Sequence, residues 1–138
     1  MQAILYYSFG GSTRKLAKER AKAQGADLYE IREARKRTLL RSFFPGCTDA
    51  RKRIASAILP FEIDWNKYER VDLYAPVWAG YPAPAFNSAL ALIPQGKETA
   101  IVLCSGGGET PQSKDGTIAL VTRRGMRFVS YEDFKTAR

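Results

Sequence analysis

The sequence predicts an α/β protein built on a doubly wound parallel sheet, and three observations predict it. Strand-length apolar runs alternate with helical stretches in the order β-α-β-α-β-α-β-α-β, which right-handed crossovers wind into helices on both faces of one sheet. The strongest runs are continuously apolar, as strands covered on both sides are. Glycine-containing loops follow three of the strands, at the edge where open parallel sheets hold ligands. The 138 residues suit a single domain, 1–138, long enough to bury a core without disulfides or metals.

Each element has a local reason. Ala3-Ile4-Leu5-Tyr6-Tyr7 is the first strand, stopped by the turn formers Ser8-Phe9-Gly10-Gly11-Ser12-Thr13. A helix from Arg14 to Gln24 follows, rich in Ala, Lys, Arg and Leu, with Ser12 or Thr13 placed to cap it and Gly25 to stop it. Ala26 to Ile31 alternates polar and apolar, as an edge or half-covered strand does. The basic stretch 32–59 is the least regular part and breaks at Pro45-Gly46. Within it Leu39, Leu40, Phe43 and Phe44 need a core, and Ile54, Ala57 and Ile58 mark a helical piece. A connector, 60–70, carries Trp65 and Tyr68. Val71 to Val77 is the third strand, leading to the breaker-rich loop Trp78-Ala79-Gly80-Tyr81-Pro82. Pro84 suits the first turn of the next helix, where Phe86, Ala89, Leu90 and Ile93 recur at helical spacing before Pro94. Thr99 to Cys104 is the most apolar strand and runs into Ser105-Gly106-Gly107-Gly108. A weaker helix, 111–124, precedes a last strand, Arg127 to Tyr131, after which 132–138 hold only one or two helical turns.

Composition excludes several chemistries. The chain has no histidine, so it supplies neither a Ser-His-Asp or Cys-His centre nor an imidazole-ligated zinc or haem. Its two cysteines, Cys47 and Cys104, are far apart and form no metal-binding cluster. Chemistry is therefore expected from a bound organic cofactor or from carboxylates. No stretch is apolar enough for a membrane helix, and Met1 to Ser8 reads as a strand rather than a signal peptide, so a cytoplasmic location with reduced thiols is expected. The net charge of +8 is concentrated: residues 14–53 carry 13 Lys and Arg against 5 Asp and Glu. Such a face attracts an acidic partner or nucleic acid, although 32–53 carries no recognised nucleic-acid motif; a solvated pair of helix faces is the alternative reading.

The three loops carry the site prediction. In the first, glycines let backbone N–H groups converge on an anion, Ser8, Ser12 and Thr13 offer hydroxyls, and the next helix presents its positive end. No lysine of a P-loop is present and the spacing fails GxGxxG, which leaves a phosphate nest or a tight capped turn. Trp78 and Tyr81 flank a glycine in the second, as stacking on a planar ring requires, or else serve the core. The third, Ser105 to Gly108, offers bare backbone to a ligand edge or is simply a turn.

Taken in order, these residues resemble the flavodoxin family over nearly the whole chain. Ser8-Phe9-Gly10-Gly11-Ser12-Thr13 is similar to its phosphate loop, Pro76-Val77-Trp78-Ala79-Gly80-Tyr81 to the loop against one side of the flavin ring, and Cys104-Ser105-Gly106-Gly107-Gly108 to the loop at the pyrimidine edge. The resemblance implies a five-stranded sheet in the order 2-1-3-4-5, non-covalently bound FMN, and electron transfer, in a short form without the closing C-terminal helix. Gly10 stands where the family has a loop threonine, Glu109 near its ring-covering tyrosine, and Ala79 where a glycine often follows the tryptophan. The basic charge contrasts with acidic electron carriers and implies an acidic redox protein partner. A sheet face left open by an absent last helix implies a homodimer or a protein partner there. Two alternatives accompany this reading: a flavin-free binding module using the basic residues 14–53, and an NAD(P)H-dependent FMN quinone reductase.

Overall fold

A computed structural model of the chain describes residues 1–35, 37 and 45–136. Five parallel strands form one sheet: β1 (Gln2–Tyr6), β2 (Asp27–Glu30), β3 (Arg70–Trp78), β5 (Glu98–Ser105) and β6 (Arg127–Lys135), in the order β2-β1-β3-β5-β6. Counted among parallel strands alone, this is the expected 2-1-3-4-5. A sixth strand, the two-residue β4 (Tyr81–Pro82), pairs antiparallel with the end of β3 and has no counterpart in the sequence reading. The chain winds from β1 outward to β2, then returns to β3, β5 and β6 on the other side, so the switch point lies between β1 and β3.

Strand parity divides the core into two layers. Ala3, Leu5, Val71, Leu73, Ala75, Ile101 and Leu103 face a layer that includes Phe86, Ala89 and Leu90 of α3 (Pro84–Leu92) and Val121 of α4 (Lys114–Arg123). The short α2 (Gly46–Arg51) packs beside α3 and β4 on the same side. Ile4, Tyr6, Tyr74, Val102 and Cys104 face the opposite layer, which meets Leu16, Ala17 and Ala21 of α1 (Ser12–Gln24). Among the described residues no helix follows β6, and none is long and apolar enough to cross a membrane.

Long side chains extend the cover beyond α1 on that second face. Arg20 donates both guanidinium nitrogens to Glu132 of β6, at 2.6 and 2.7 Å, and lies 5.7 Å over the Phe134 ring. Gln2 and Arg70 converge on Asp72, which is 2% exposed and also accepts from the Ala100 amide. Val102 and Cys104 between them are buried. Hydrogen bonds from Arg20 hold the Glu132 carboxyl below its ordinary pKa, against a smaller desolvation effect in the other direction. A depressed carboxylate adds stability in full above its unfolded pKa and loses it as pH falls through the folded value. Glu132→Gln should therefore flatten the acid limb of the stability profile below about pH 4.3. Urea unfolding at stepped pH measures this; the effect is modest and salt-sensitive because Glu132 is 41% exposed.

The structure differs from the sequence reading in four places. The helical piece expected at Ile54, Ala57 and Ile58 is instead α2, at 46–51; the later segment is extended because Ser88 holds it, donating to the Ser56 carbonyl and accepting from the Ser56 amide. Leu39, Leu40, Phe43 and Phe44 lie outside the described residues. The last strand runs to Lys135 rather than Tyr131, paired along its length with β5 after a bulge opposite Thr99/Ala100 that places one extra residue in β6. The helix expected over 111–124 is α4, starting at Lys114 after Thr110 is fixed by Asp133. Neither Ser12 nor Thr13 caps α1: Gly11 is the N-cap residue, in left-handed backbone, and Ser12 is the first helical residue.

Candidate functional site

The loops after β1, β3 and β5 lie side by side, since these strands are neighbours about 4.8 Å apart in the sheet. The first two flank the switch point. In the first, the Ser8 hydroxyl accepts from the Gly11 amide at 3.0 Å, closing the turn. The first α-type bond of α1 runs from the Lys15 amide to the Gly11 carbonyl, so the amides of Ser12, Thr13 and Arg14 have no intrahelical acceptor. A Cβ added to Gly10 or Gly11 would meet nothing within 4 Å. The loop thus offers several N–H donors, the exposed Ser12 hydroxyl and a helix N-terminus, the donor set an anion needs.

The second loop is a two-residue hairpin between β3 and β4. Ala79 and Gly80 both have positive φ, at 52° and 85°, and Trp78 pairs with Tyr81 across the turn. This is the pattern of a type I′ hairpin, whose twist suits the flanking strands. Alanine in left-handed backbone costs about 1–2 kcal/mol, while glycine loses roughly 0.5–1 kcal/mol of unfolded-chain freedom. Ala79→Gly should therefore stabilise the protein by about 0.5–1 kcal/mol, measured by urea unfolding; destabilisation would mean the Ala79 methyl makes a needed contact.

Two arginines brace this hairpin. Arg53 lies at the C′ position of α2 in left-handed backbone, with the paired bonds of a Schellman ending: its amide to Ala50 and that of Ile54 to Asp49. From there its side chain lies 5.3 Å over the Tyr81 ring and donates to Thr117 Oγ1 and the Ser113 carbonyl. Ser113 in turn donates to the Gly80 carbonyl at 2.5 Å, tying the hairpin tip to α4. On the other side Arg37 lies 5.1 Å over the Trp78 ring and pairs through Nε with both oxygens of Glu33, at 2.7 and 2.9 Å. Tyr7 donates to the same carboxylate at 2.6 Å. Burial, and then that bond to Glu33, push the Tyr7 phenol far above its ordinary pKa, so it stays a donor.

The third loop repeats the first in miniature, the Ser105 hydroxyl accepting from the Gly108 amide at 2.9 Å. Its end is held to β6: the Thr136 amide donates to the Ser105 carbonyl, and a Cβ on Gly108, at φ +72°, would meet the Lys135 Cβ at 2.8 Å. Only glycine fits there.

The structure brings the first two predicted loops into direct contact. The rings of Tyr7 and Phe9 meet Trp78 edge-on, with centroids 6.0 and 5.9 Å away. Pro76 and Val77 are half-buried members of β3, and Gly106 and Gly107 are exposed in the third loop. Cys104 is buried in the α1 layer beside the Thr13 hydroxyl, and burial pushes its thiol pKa up. Thr13, itself 2% exposed, therefore offers its amide rather than its hydroxyl to the first loop. Sequence reasoning missed Arg53, Ser113, Glu33 and Arg37. For Arg53 and Ser113 no local signal exists, because their partners lie 60–64 and 33 residues away; the i,i+4 spacing of Glu33 and Arg37 was a legible hint.

Among solved structures, this fold is similar to a candidate flavoprotein from Bacteroides eggerthii, with TM-score 0.81 and 20% identity over 95% of this chain and 86% of that one. A flavoprotein from Lactobacillus acidophilus, crystallised in complex with FMN, matches with TM-score 0.77 and 21% identity, covering 94% of this chain and 90% of that one. Oxidised flavodoxin 1 from Bacillus cereus matches more distantly, with TM-score 0.52 and 15% identity over 99% and 86%. The chain has a flavodoxin-like fold. Its sequence matches no protein-family model and no curated protein.

Proposed function

We propose that this chain binds FMN non-covalently and works as a flavodoxin-like redox protein in the cytoplasm. The observation that carries the reading is the pairing, across the switch point, of a loop of free amides with an aromatic hairpin. The amides of Ser12, Thr13 and Arg14, with the Ser12 hydroxyl, would hold the phosphate, and helix α1 would add its positive end. Trp78 and Tyr81, braced by Arg37 and Arg53, would hold the ring system, with Ser105 to Gly108 at its polar edge. Similarity to the Lactobacillus acidophilus protein crystallised with FMN supports this choice of cofactor.

The chemistry supplied by a bound FMN is the transfer of one or two electrons. The chain's own residues position and shield it. Phe9 and Trp78, whose rings meet edge-on, would keep water from one side of it, and the backbone of Ser105 to Gly108 rather than a titrating side chain would meet its polar edge. Exposed Lys15, Lys18 and Lys22 on α1 would favour an acidic redox partner. The test is a visible absorption spectrum of purified protein after FMN is added and the excess removed. A retained flavin band is expected. A colourless protein would overturn the reading and leave the basic surface as the functional one.

A further inference from the structure

We infer that a second cavity, on the β2 side of the first loop, binds the phosphate monoester of a nucleotide that serves as cosubstrate of the flavin site. The inference rests on the FMN reading for the word cosubstrate, but the cavity stands on its own geometry. About 540 Å³ in volume, it lies between the start of the first loop and the segment after β2. Phe9, whose other contact is Trp78, belongs to its wall, so the cavity adjoins the proposed ring site. Ser8 and Arg14 belong to its wall while Gly10, Gly11, Ser12 and Thr13 do not, so it borders the phosphate nest on the side of Arg14 and opens away from it toward Arg32 and Arg35.

Its charge points to an anion. Arg14, Arg32, Arg35 and Arg37 line it with Glu30 and Glu33, leaving two positive charges in excess. Arg14 and Arg32 share one carboxylate, Glu30, at 2.6 and 2.9 Å. Glu33 is taken by Arg37 and Tyr7. Arg35 is exposed and makes no ion pair among the described residues, and Arg32 is 69% exposed, so both have donors to give. Two net charges match the dianion of a phosphate monoester, and guanidinium forks bind it bidentately.

Its size and walls point to more than phosphate. A cavity in this range takes a drug-sized ligand, not a lone tetrahedral ion. Phe9, Leu59 and Ala34 give it apolar surface, and an arginine plane stacks on a base. A phosphate joined to a planar heterocycle answers all of these features.

The test is calorimetric titration of adenosine 2′,5′-bisphosphate into the purified protein, once with FMN saturating and once without. Saturable one-to-one binding that leaves FMN in place is expected, with adenosine alone and inorganic phosphate each far weaker. Arg32→Ala and Arg35→Ala, both exposed and free to fold, should each weaken it about tenfold through the loss of a charge-assisted bond. Absence of saturation, affinity unchanged in both variants, equal binding of inorganic phosphate, or displacement of FMN by the bisphosphate would each overturn the inference. If the protein retains no FMN yet binds the bisphosphate with this arginine dependence, the nucleotide pocket stands and the flavin reading falls.

Discussion

Ser12→Asp should weaken FMN binding by about a hundredfold or more without harming the fold. Ser12 is exposed and is the first residue of α1, where a carboxylate meets unpaired amides and gains about 0.3–1 kcal/mol from the helix dipole. Flavin-free protein should therefore melt at the same temperature or slightly higher. Beside a bound phosphate the same carboxylate is a like charge in a confined nest, which costs several kcal/mol. Fluorescence titration of FMN against the variant reads the affinity, and a thermal melt reads the fold. Unchanged affinity would mean that the phosphate sits elsewhere.

The largest stability effect expected at the site belongs to Glu33. Its side chain is 7% exposed and that of Arg37 is 12% exposed. Removing one partner of a buried ion pair leaves the other charge in a poorly solvated place and costs about 3–5 kcal/mol. Glu33→Ala also strips the Tyr7 hydroxyl of its acceptor. Urea unfolding should show a loss of about 3 kcal/mol or more, with the Trp78 fluorescence altered because Arg37 and Tyr7 both pack on that ring. A loss below about 1 kcal/mol would mark the pair as an ordinary surface bridge.

The fold was legible because its signals are local. Continuous apolar runs such as Ala3 to Tyr7 and Thr99 to Cys104, too short for a helix and followed at once by turn residues, read as strands covered on both faces, and Pro84 and Pro94 bracket a helix by removing N–H donors. The loops were legible for the same reason, since glycine and serine write turn chemistry directly into the sequence. What escaped depends on distant partners. Ile54, Ala57 and Ile58 carry helical spacing, yet Ser88, 32 residues away, satisfies the backbone of Ser56 and keeps it extended. Arg53 carries no sign that a left-handed backbone will aim it at Tyr81. The extension of β6 through Glu132 and Phe134 is stabilised from α1 by Arg20, a contact that no window of a dozen residues contains.

That fork from Arg20 to Glu132 also bears on how the molecule assembles and comes apart. It joins positions 112 residues apart, so the chain must already be compact before the two ends of the bond can meet. Helix α1 packs on β1, β2 and β3, the first two of them its immediate neighbours in sequence, and that unit can form without β6. Closing so long a loop carries an entropic cost that short-range contacts avoid. A bond made after the rate-limiting step leaves the folding rate alone and slows escape from the native state. Arg20→Gln should steepen loss by raising the unfolding rate in stopped-flow experiments, with little change in the folding limb; an equal slowing of folding would place β6 in the nucleus instead. The side chains that finish this face of the sheet thus act as a latch, governing the lifetime of the folded state more than the speed with which it is reached.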